Sequence, residues 1–347
     1  MEPVPLAAAD HHQPGHGDGG HRHHQDDRHR GGTGGLAHHH GHGPAGHAPA
    51  GGGGHRHAAV VRQGVDGDGE VSPQAPRAPR ILAHRGASAE APENTAAAFR
   101  RALATGVDGV ELDVHLSSDG VPVVIHDPRL ERTTDGRGLV SALPWPALRR
   151  LDAGRWFADA FAGERIPTLA EALALLRPVR VIAELKRPSL PAPGMARRVA
   201  GVIRQSGHPA VTVSSFDHPL LLEVRDHLPQ VRTAVLYVAR PVDPLRLARD
   251  AAASVLHPHW SLLSADVVEA AHAAGLEVET WVVDEPEAMA RVVAMGVDGV
   301  MTNHPQRLRA VLARLGFPLP PPAGRRSGSP QPVERRARTR SPRRSRG

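Results

Sequence analysis

Cysteine is absent from all 347 residues. Disulfides, thiolate metal centres and a cysteine nucleophile are therefore excluded outright. Lysine is nearly as scarce: of 42 basic side chains, only Lys186 is a lysine. The two cations are not interchangeable where a compact point charge is needed, so the one position that keeps an ammonium is marked for attention. No apolar run approaches the ~18 residues needed to span a bilayer. The opening MEPVPLAAADHHQ lacks both a basic n-region and a sustained apolar stretch. It makes a poor signal peptide, and a cytoplasmic location is expected.

Large apolar residues are missing from both ends. Residues 1–79 are dominated by Gly, His, Ala and Pro, and residues 319–347 by Pro, Arg and Ser. Neither segment can bury enough surface to offset chain entropy, so two disordered arms are expected. Between them, residues 80–318 are close in length to the roughly 250 typical of a (β/α)8 barrel. The formal charge of +6 belongs to the C-terminal arm, which carries 9 Arg against 1 Glu, whereas the central region holds 27 basic and 27 acidic residues. A neutral core argues against nucleic-acid binding by a broad basic face. The basic arm can attract polyanions but has no aromatic side chain for base stacking. The N-terminal arm holds 14 of the 24 histidines, a composition with affinity for Zn²⁺ or Ni²⁺.

The central region alternates strand and helix. Ile81-Leu82-Ala83 is a short apolar run ending in His84-Arg85-Gly86. Asn94 or Thr95 caps a first helix, with Phe99, Ala102 and Leu103 on one face. Val107–Val114 is the second strand. Ser117-Ser118-Asp119-Gly120 is a hairpin signal, so Val121–Ile125 should return antiparallel and carry His126 over the barrel mouth. An insertion of about 116–165, irregular from 127, separates the second strand from the second helix. That helix opens on the capping box Thr168-Leu169-Ala170-Glu171, and Val179–Leu185 follows as a strand. Helical segments near 195–206, 217–227, 243–251, 264–274, 285–295 and 305–314 then alternate with apolar runs at 211–215, 231–238, 254–257, 276–283 and 298–302. With the hairpin return excluded, eight strands remain. The expected fold class is α/β, a (β/α)8 TIM barrel, with an open doubly wound sheet as the alternative. No dinucleotide fingerprint or P-loop follows any strand.

In a strand, residues two apart share a face. Glu111 and Asp113 thus present two carboxylates side by side, near strand ends that bring two histidines and an arginine. The ordered set HRG, PENT, ELDV and SDGVPVVIHD, continued by Glu184-Leu185-Lys186, Val213-Ser214-Ser215-Phe216, Thr280-Trp281-Val282 and GVDGVMTN at 296–303, resembles the glycerophosphodiester phosphodiesterase family over roughly Arg80 to Phe317. The resemblance implies metal-dependent hydrolysis of small-molecule glycerophosphodiesters on a TIM barrel.

Strand-end placement puts His84, Arg85, Glu111, Asp113, Glu184, Lys186, Ser214, Ser215, Trp281 and Asn303 around one mouth. Glu111, Asp113 and Glu184 are the candidate ligands of one divalent cation. Three carboxylates without cysteine suit a hard ion, Mg²⁺ or Ca²⁺. His84 and His126 are the candidate acid and base, in unassigned order. Arg85 and Lys186 are candidate holders of the phosphodiester oxygens. By resemblance Trp281 forms an apolar wall beside the glycerol, and Glu93 stands behind Arg85 or the metal ligands. His115 is read as a surface or insertion contact. Two rivals remain open at this stage: a phospholipase-D-like or phosphatidylinositol-phospholipase-C-like enzyme acting on lipid, and a non-enzymatic metal binder using the His-rich arm.

Overall fold

A computed structural model describes residues 77–186 and 194–319. The proposed metal-binding N-terminal arm and polyanion-binding C-terminal arm lie outside the described residues, apart from their innermost positions. The order of elements is β1 (Arg80–His84), α1 (Ala96–Thr105), β2 (Gly109–Leu116), β3 (Pro122–Val124), a short α2 (Trp145–Leu148), α3 (Leu169–Leu175), β4 (Arg180–Leu185) and α4 (Met195–Ser206). Then follow β5 (Val211–Ser215), α5 (His218–His227), β6 (Arg232–Tyr237), α6 (Pro244–Asp250), β7 (Val255–Pro258), α7 (Ala265–Ala273), β8 (Glu277–Thr280), α8 (Pro286–Ala294), β9 (Gly299–Thr302) and α9 (Pro305–Arg314).

Eight strands are parallel and closed on themselves. The sheet runs β1-β9-β8-β7-β6-β5-β4-β2, and β1 pairs with β2 to complete the circle. An open doubly wound sheet would lack that last pairing, so that alternative falls. β3 stands apart: it pairs antiparallel to β2, with Val114 opposite Val124 and Leu116 opposite Pro122. The hairpin expected from the Ser-Ser-Asp-Gly turn is therefore present, and it delivers His126 just past the strand end.

Between strands and helices lies the main core, where Phe99, Leu112, Leu169, Leu173, Leu185 and Leu221 are fully buried. Burying each such side chain contributes roughly 1.5–3 kcal/mol. The helix ends follow the sequence signals. Thr95, not Asn94, caps α1 by accepting from the Ala98 amide, and Thr168 and Glu171 form a reciprocal capping box on α3. The insertion has a small core of its own, built from Val123, Ile125, Leu130, Val140, Leu148, Ala153 and Ile166. It is thus a packed annex to the barrel rather than an irregular loop.

Inside the barrel the register fixes which residues share a layer. Leu82, Ile182 and Met301 form an apolar plug against Trp281. Below it, at the strand starts, Arg80, Arg180, Arg232, Glu277, Glu279 and His257 form an ionic floor. Arg80 Nε donates to Glu279 Oε1 at 2.9 Å, Arg180 Nη1 to the same oxygen at 3.3 Å, and His257 Nε2 lies 3.0 Å from Oε2. Arg80 and Arg232 also pair with Glu277. No helix among the described residues is long and apolar enough to cross a membrane.

Candidate active site

The inward face at the C-terminal strand ends collects the acidic residues. His84 on β1 stands opposite Glu111 on β2, and Asp113 on β2 stands opposite Glu184 on β4. Glu111, Asp113 and Glu184 are all buried, and each offers a carboxylate oxygen within 4.8 Å of the others. Among the described residues Glu111 Oε1 has no hydrogen-bond donor, and Asp113 Oδ1 and Glu184 Oε1 share a single ammonium. Lys186 Nζ meets two of these as ion pairs, at 3.0 Å from Asp113 Oδ1 and 2.5 Å from Glu184 Oε1. Three buried, converging carboxylates are the donor set a hard divalent cation takes. The residues fit such an ion.

The electrostatics carry the same mark. Burial, then Asp113 and Glu184, push the Glu111 carboxyl well above the usual carboxylate range. Burial would raise Asp113 too, but Lys186 and Arg85 overrule it and hold Asp113 well below that range. Like charges at close quarters drive their protonation apart.

Two loops before α1 build the cationic side. Arg85 has φ of 56° and Asn94 φ of 58°, a left-handed backbone that non-glycine residues adopt at a cost and that clusters at functional sites. Gly86 follows with φ of +87°, and a Cβ there would lie 2.7 Å from the Ala98 Cβ, so only glycine lets α1 close on this turn. The turn aims the Arg85 amide at Glu111 Oε2 (3.0 Å) and its Nε toward Asp113 Oδ2 (3.2 Å). Asn94 does not cap α1. Its Nδ2 donates to Asp113 Oδ2 at 2.7 Å, which explains the Asn of PENT. Glu93 of the same motif accepts from Arg85 Nη1 at 2.9 Å.

The two candidate histidines are held differently. His84 Nδ1 lies 2.8 Å from Asn303 Oδ1, and the Asn303 amide is in turn fixed by Nδ2 donating to Asp284 Oδ2 at 2.7 Å. That orientation makes His84 Nδ1 the donor and turns Nε2 toward Glu111, 3.9 Å away. Burial, then Arg85, lowers the His84 imidazole to about 4. His126 Nδ1 instead meets a carboxylate, Asp127 Oδ1, at 2.6 Å, and its side chain is more exposed. His115, expected to be a surface or insertion contact, is buried. Its Nε2 lies 2.9 Å from the His126 carbonyl oxygen, so it is an insertion contact made from inside. β8 ends at Thr280, one residue short of Trp281. Trp281 is held by a bridge to His259 and by Nε1 donating to the His257 carbonyl, with Phe216 edge-on at 5.6 Å.

Reasoning from the sequence missed Asp127, Arg132, Asp284 and Ser88 as parts of this site. Asp127 had a signal, since it directly follows His126. Arg132, Asp284 and Ser88 had none, because their contacts exist only once distant loops meet.

The model of the Glycerophosphoryl diester phosphodiesterase family matches residues 84–307. The chain belongs to that family. A glycerophosphodiester phosphodiesterase from Caldanaerobacter subterraneus subsp. tengcongensis is 39% identical over 231 residues, 66% of this chain and 95% of that protein. Among solved structures, an Oleispira antarctica phosphodiesterase in complex with the product sn-glycerol-3-phosphate is 31% identical with a TM-score of 0.64, covering 68% of this chain and 97% of that one. A glycerophosphodiester phosphodiesterase from Agrobacterium tumefaciens is 32% identical with a TM-score of 0.60, covering 67% and 99%. As a glycerophosphodiester phosphodiesterase this chain is an enzyme, and the family's span opens on His84 and encloses every site residue named above.

Proposed function

We propose that this enzyme hydrolyses small glycerophosphodiesters, such as glycerophosphocholine and glycerophosphoethanolamine, to glycerol 3-phosphate and an alcohol. One divalent cation, Mg²⁺ or Ca²⁺, would be held by Glu111, Asp113 and Glu184. The observation that carries this reading is the meeting of three buried, converging carboxylates with two histidines whose Nδ1 atoms are engaged. The cation, when bound, supplies charge neutralisation at the phosphodiester and acidifies a coordinated hydroxyl.

The protein's own groups divide the remaining work. Arg85 and Lys186 hold non-bridging phosphate oxygens and stabilise the charge that builds on them. His84, kept neutral by burial beside Arg85 and held by a neutral amide, is suited to accept the proton of the attacking hydroxyl at Nε2, whether that hydroxyl is water's or the glycerol's own. His126, whose ring is oriented by the Asp127 carboxylate at Nδ1, is suited to give a proton to the leaving alkoxide as the P–O bond breaks. Trp281 and Phe216 supply an apolar wall for the substrate's carbon skeleton. A lipid substrate would need an apolar docking rim on the insertion, yet Trp156, Phe157 and Phe161 pack edge-on against one another, and of these only Trp156 is largely exposed.

The test is glycerol 3-phosphate release by the full chain from glycerophosphocholine and glycerophosphoethanolamine, with Mg²⁺, with Ca²⁺ and with EDTA. The reading expects release that EDTA stops and one of the two cations restores. Turnover undiminished by EDTA, or turnover of phospholipid vesicles but neither soluble diester, overturns it.

A further inference from the structure

Arg132 stands on the insertion, in a turn whose ends are buried: Leu130 is fully buried, and Thr134 Oγ1 donates back to the Leu130 carbonyl at 2.7 Å. Its guanidinium reaches out of that turn and makes four hydrogen bonds, all to two carboxylates. Nη1 and Nη2 donate to Glu93 Oε2 and Oε1 at 2.9 and 2.7 Å. Nε and Nη2 donate to Asp127 Oδ2 and Oδ1 at 2.7 and 3.0 Å. Each carboxylate then holds a different site residue. Glu93 Oε1 accepts from Arg85 Nη1 at 2.9 Å, and Asp127 Oδ1 takes His126 Nδ1 at 2.6 Å.

The five side chains form one chain of alternating donors and acceptors, Arg85, Glu93, Arg132, Asp127, His126, with Arg132 at its centre. The chain links the loop before α1 to the loop after β3, segments separated by 39 positions between Glu93 and Arg132. Arginine alone among the side chains carries a planar fork wide enough to grip two carboxylates bidentately at once. Among the described residues the guanidinium makes its hydrogen bonds to Glu93 and Asp127 and not to Glu111, Asp113 or Glu184, so any effect of Arg132 on the reaction passes through its two partners.

We propose that Arg132 is a positioning residue for the hydrolysis: one guanidinium sets the phosphate-holding Arg85 through Glu93 and the proton-carrying His126 through Asp127. The proposal rests on the roles of Arg85 and His126 given above. It divides the kinetic consequences between the two branches. Loosening Glu93 frees Arg85 and weakens substrate binding, whereas loosening Asp127 disturbs the tautomer and orientation of His126 and slows the chemical step. Loosening Arg132 does both.

The experiment is a kinetic cycle on the full chain with glycerophosphocholine and the activating cation, using E93Q, D127N, R132M, R132K, the double variant E93Q/D127N, the triple variant E93Q/D127N/R132M, and H126A as a control. E93Q should raise KM roughly tenfold with kcat held within about threefold. D127N should lower kcat a hundredfold or more with KM little changed. R132M should move both, and R132K, whose ammonium cannot grip two carboxylates at once, should retain only about a tenth of wild-type kcat/KM. Because Arg132 acts through its partners, adding R132M to E93Q/D127N should change kcat/KM by less than about threefold. Wild-type kinetics in R132K, or an R132M loss that multiplies undiminished on the double variant, overturns the proposal. If R132M fails to fold, R132K and the two single carboxylate variants still decide it through the KM-against-kcat split. An active H126A would instead overturn the assignment of the site itself, while an inactive H126A beside an unaffected R132K overturns the role of Arg132 alone.

Discussion

At the floor of the barrel, two glutamates meet three arginines and a histidine; at its mouth, three carboxylates meet one arginine and one lysine. Both clusters are ionic and each has a buried centre, Glu279 with His257 at the floor and the three carboxylates at the mouth. At the floor, each Glu279 oxygen has a donor or an imidazole on it, and although burial would raise its carboxyl, His257 and the arginines bring it to about 2. At the mouth, Glu111 keeps one oxygen without a hydrogen-bond donor among the described residues, Asp113 and Glu184 share the Lys186 ammonium, and Glu111 is pushed up instead of down. A fold stabilises itself with the first arrangement. The second leaves Glu111 raised at a cost the surrounding strands impose, one that a bound cation would offset. Substitutions at the two ends should therefore separate function from stability.

The largest effect belongs to the mouth. Glu111→Gln removes one of three crowded like charges while Gln can still accept from the Arg85 amide. Turnover should fall roughly a thousandfold, the scale of several kcal/mol of lost charge stabilisation, with chemical-denaturation stability unchanged or higher. A loss of stability in step with activity would erase the contrast, because the mouth would then be structural as well.

The floor should behave in reverse. Glu279→Gln leaves the Arg80, Arg180 and His257 side chains facing a neutral group inside the barrel. Removing one member of a buried ion cluster costs about 3–5 kcal/mol, so the urea midpoint should drop sharply while kcat per folded molecule stays within about twofold. A collapse of kcat in material that is still folded would mean that the floor communicates with the site through Trp281, whose Nε1 is bonded to the His257 carbonyl.

Cation binding sharpens the contrast from the ligand side. At a hundredfold excess over its dissociation constant, Mg²⁺ or Ca²⁺ should stabilise the wild-type fold by about 2.7 kcal/mol. Most of that gain should vanish in E111Q and survive in E279Q at matched excess of the wild-type constant. A gain that survives E111Q would place the cation elsewhere, with the His-rich arm the first place to look.

Much of this contrast can be read from the chain before any coordinates. The period-two spacing of Glu111 and Asp113, the His84 and Glu184 strand ends and the Thr168 capping box are all local patterns, and local patterns survive translation into structure. The floor is not local. Arg80 and Glu279 are 199 positions apart, and nothing in either neighbourhood marks them as partners; only the β1–β9–β8 order brings them together. Arg132 is hidden for the same reason, since its meaning lies in joining two loops. Of the two contacts open for His115, surface or insertion, the structure gives the insertion one, because the packed insertion covers the root of the hairpin.

The last effect is in acid, and the two ends should answer it with opposite signs. Glu279 sits at about 2 in the fold against an ordinary 4.5. Its contribution is complete above pH 4.5 and is lost as pH falls toward 2, up to roughly 3 kcal/mol in all. Glu111 is raised above its ordinary 4.5, so its burial costs stability as pH rises past that value, and a bound cation removes the cost. Measured in EDTA from pH 8 to 3, E279Q should flatten the acid limb of the stability curve and leave the neutral region parallel to wild type. E111Q should lift the neutral region and leave the acid limb in place. If both variants altered the same limb, the mouth and the floor would be one titrating cluster, and the division of labour between the two ends of the barrel would fail.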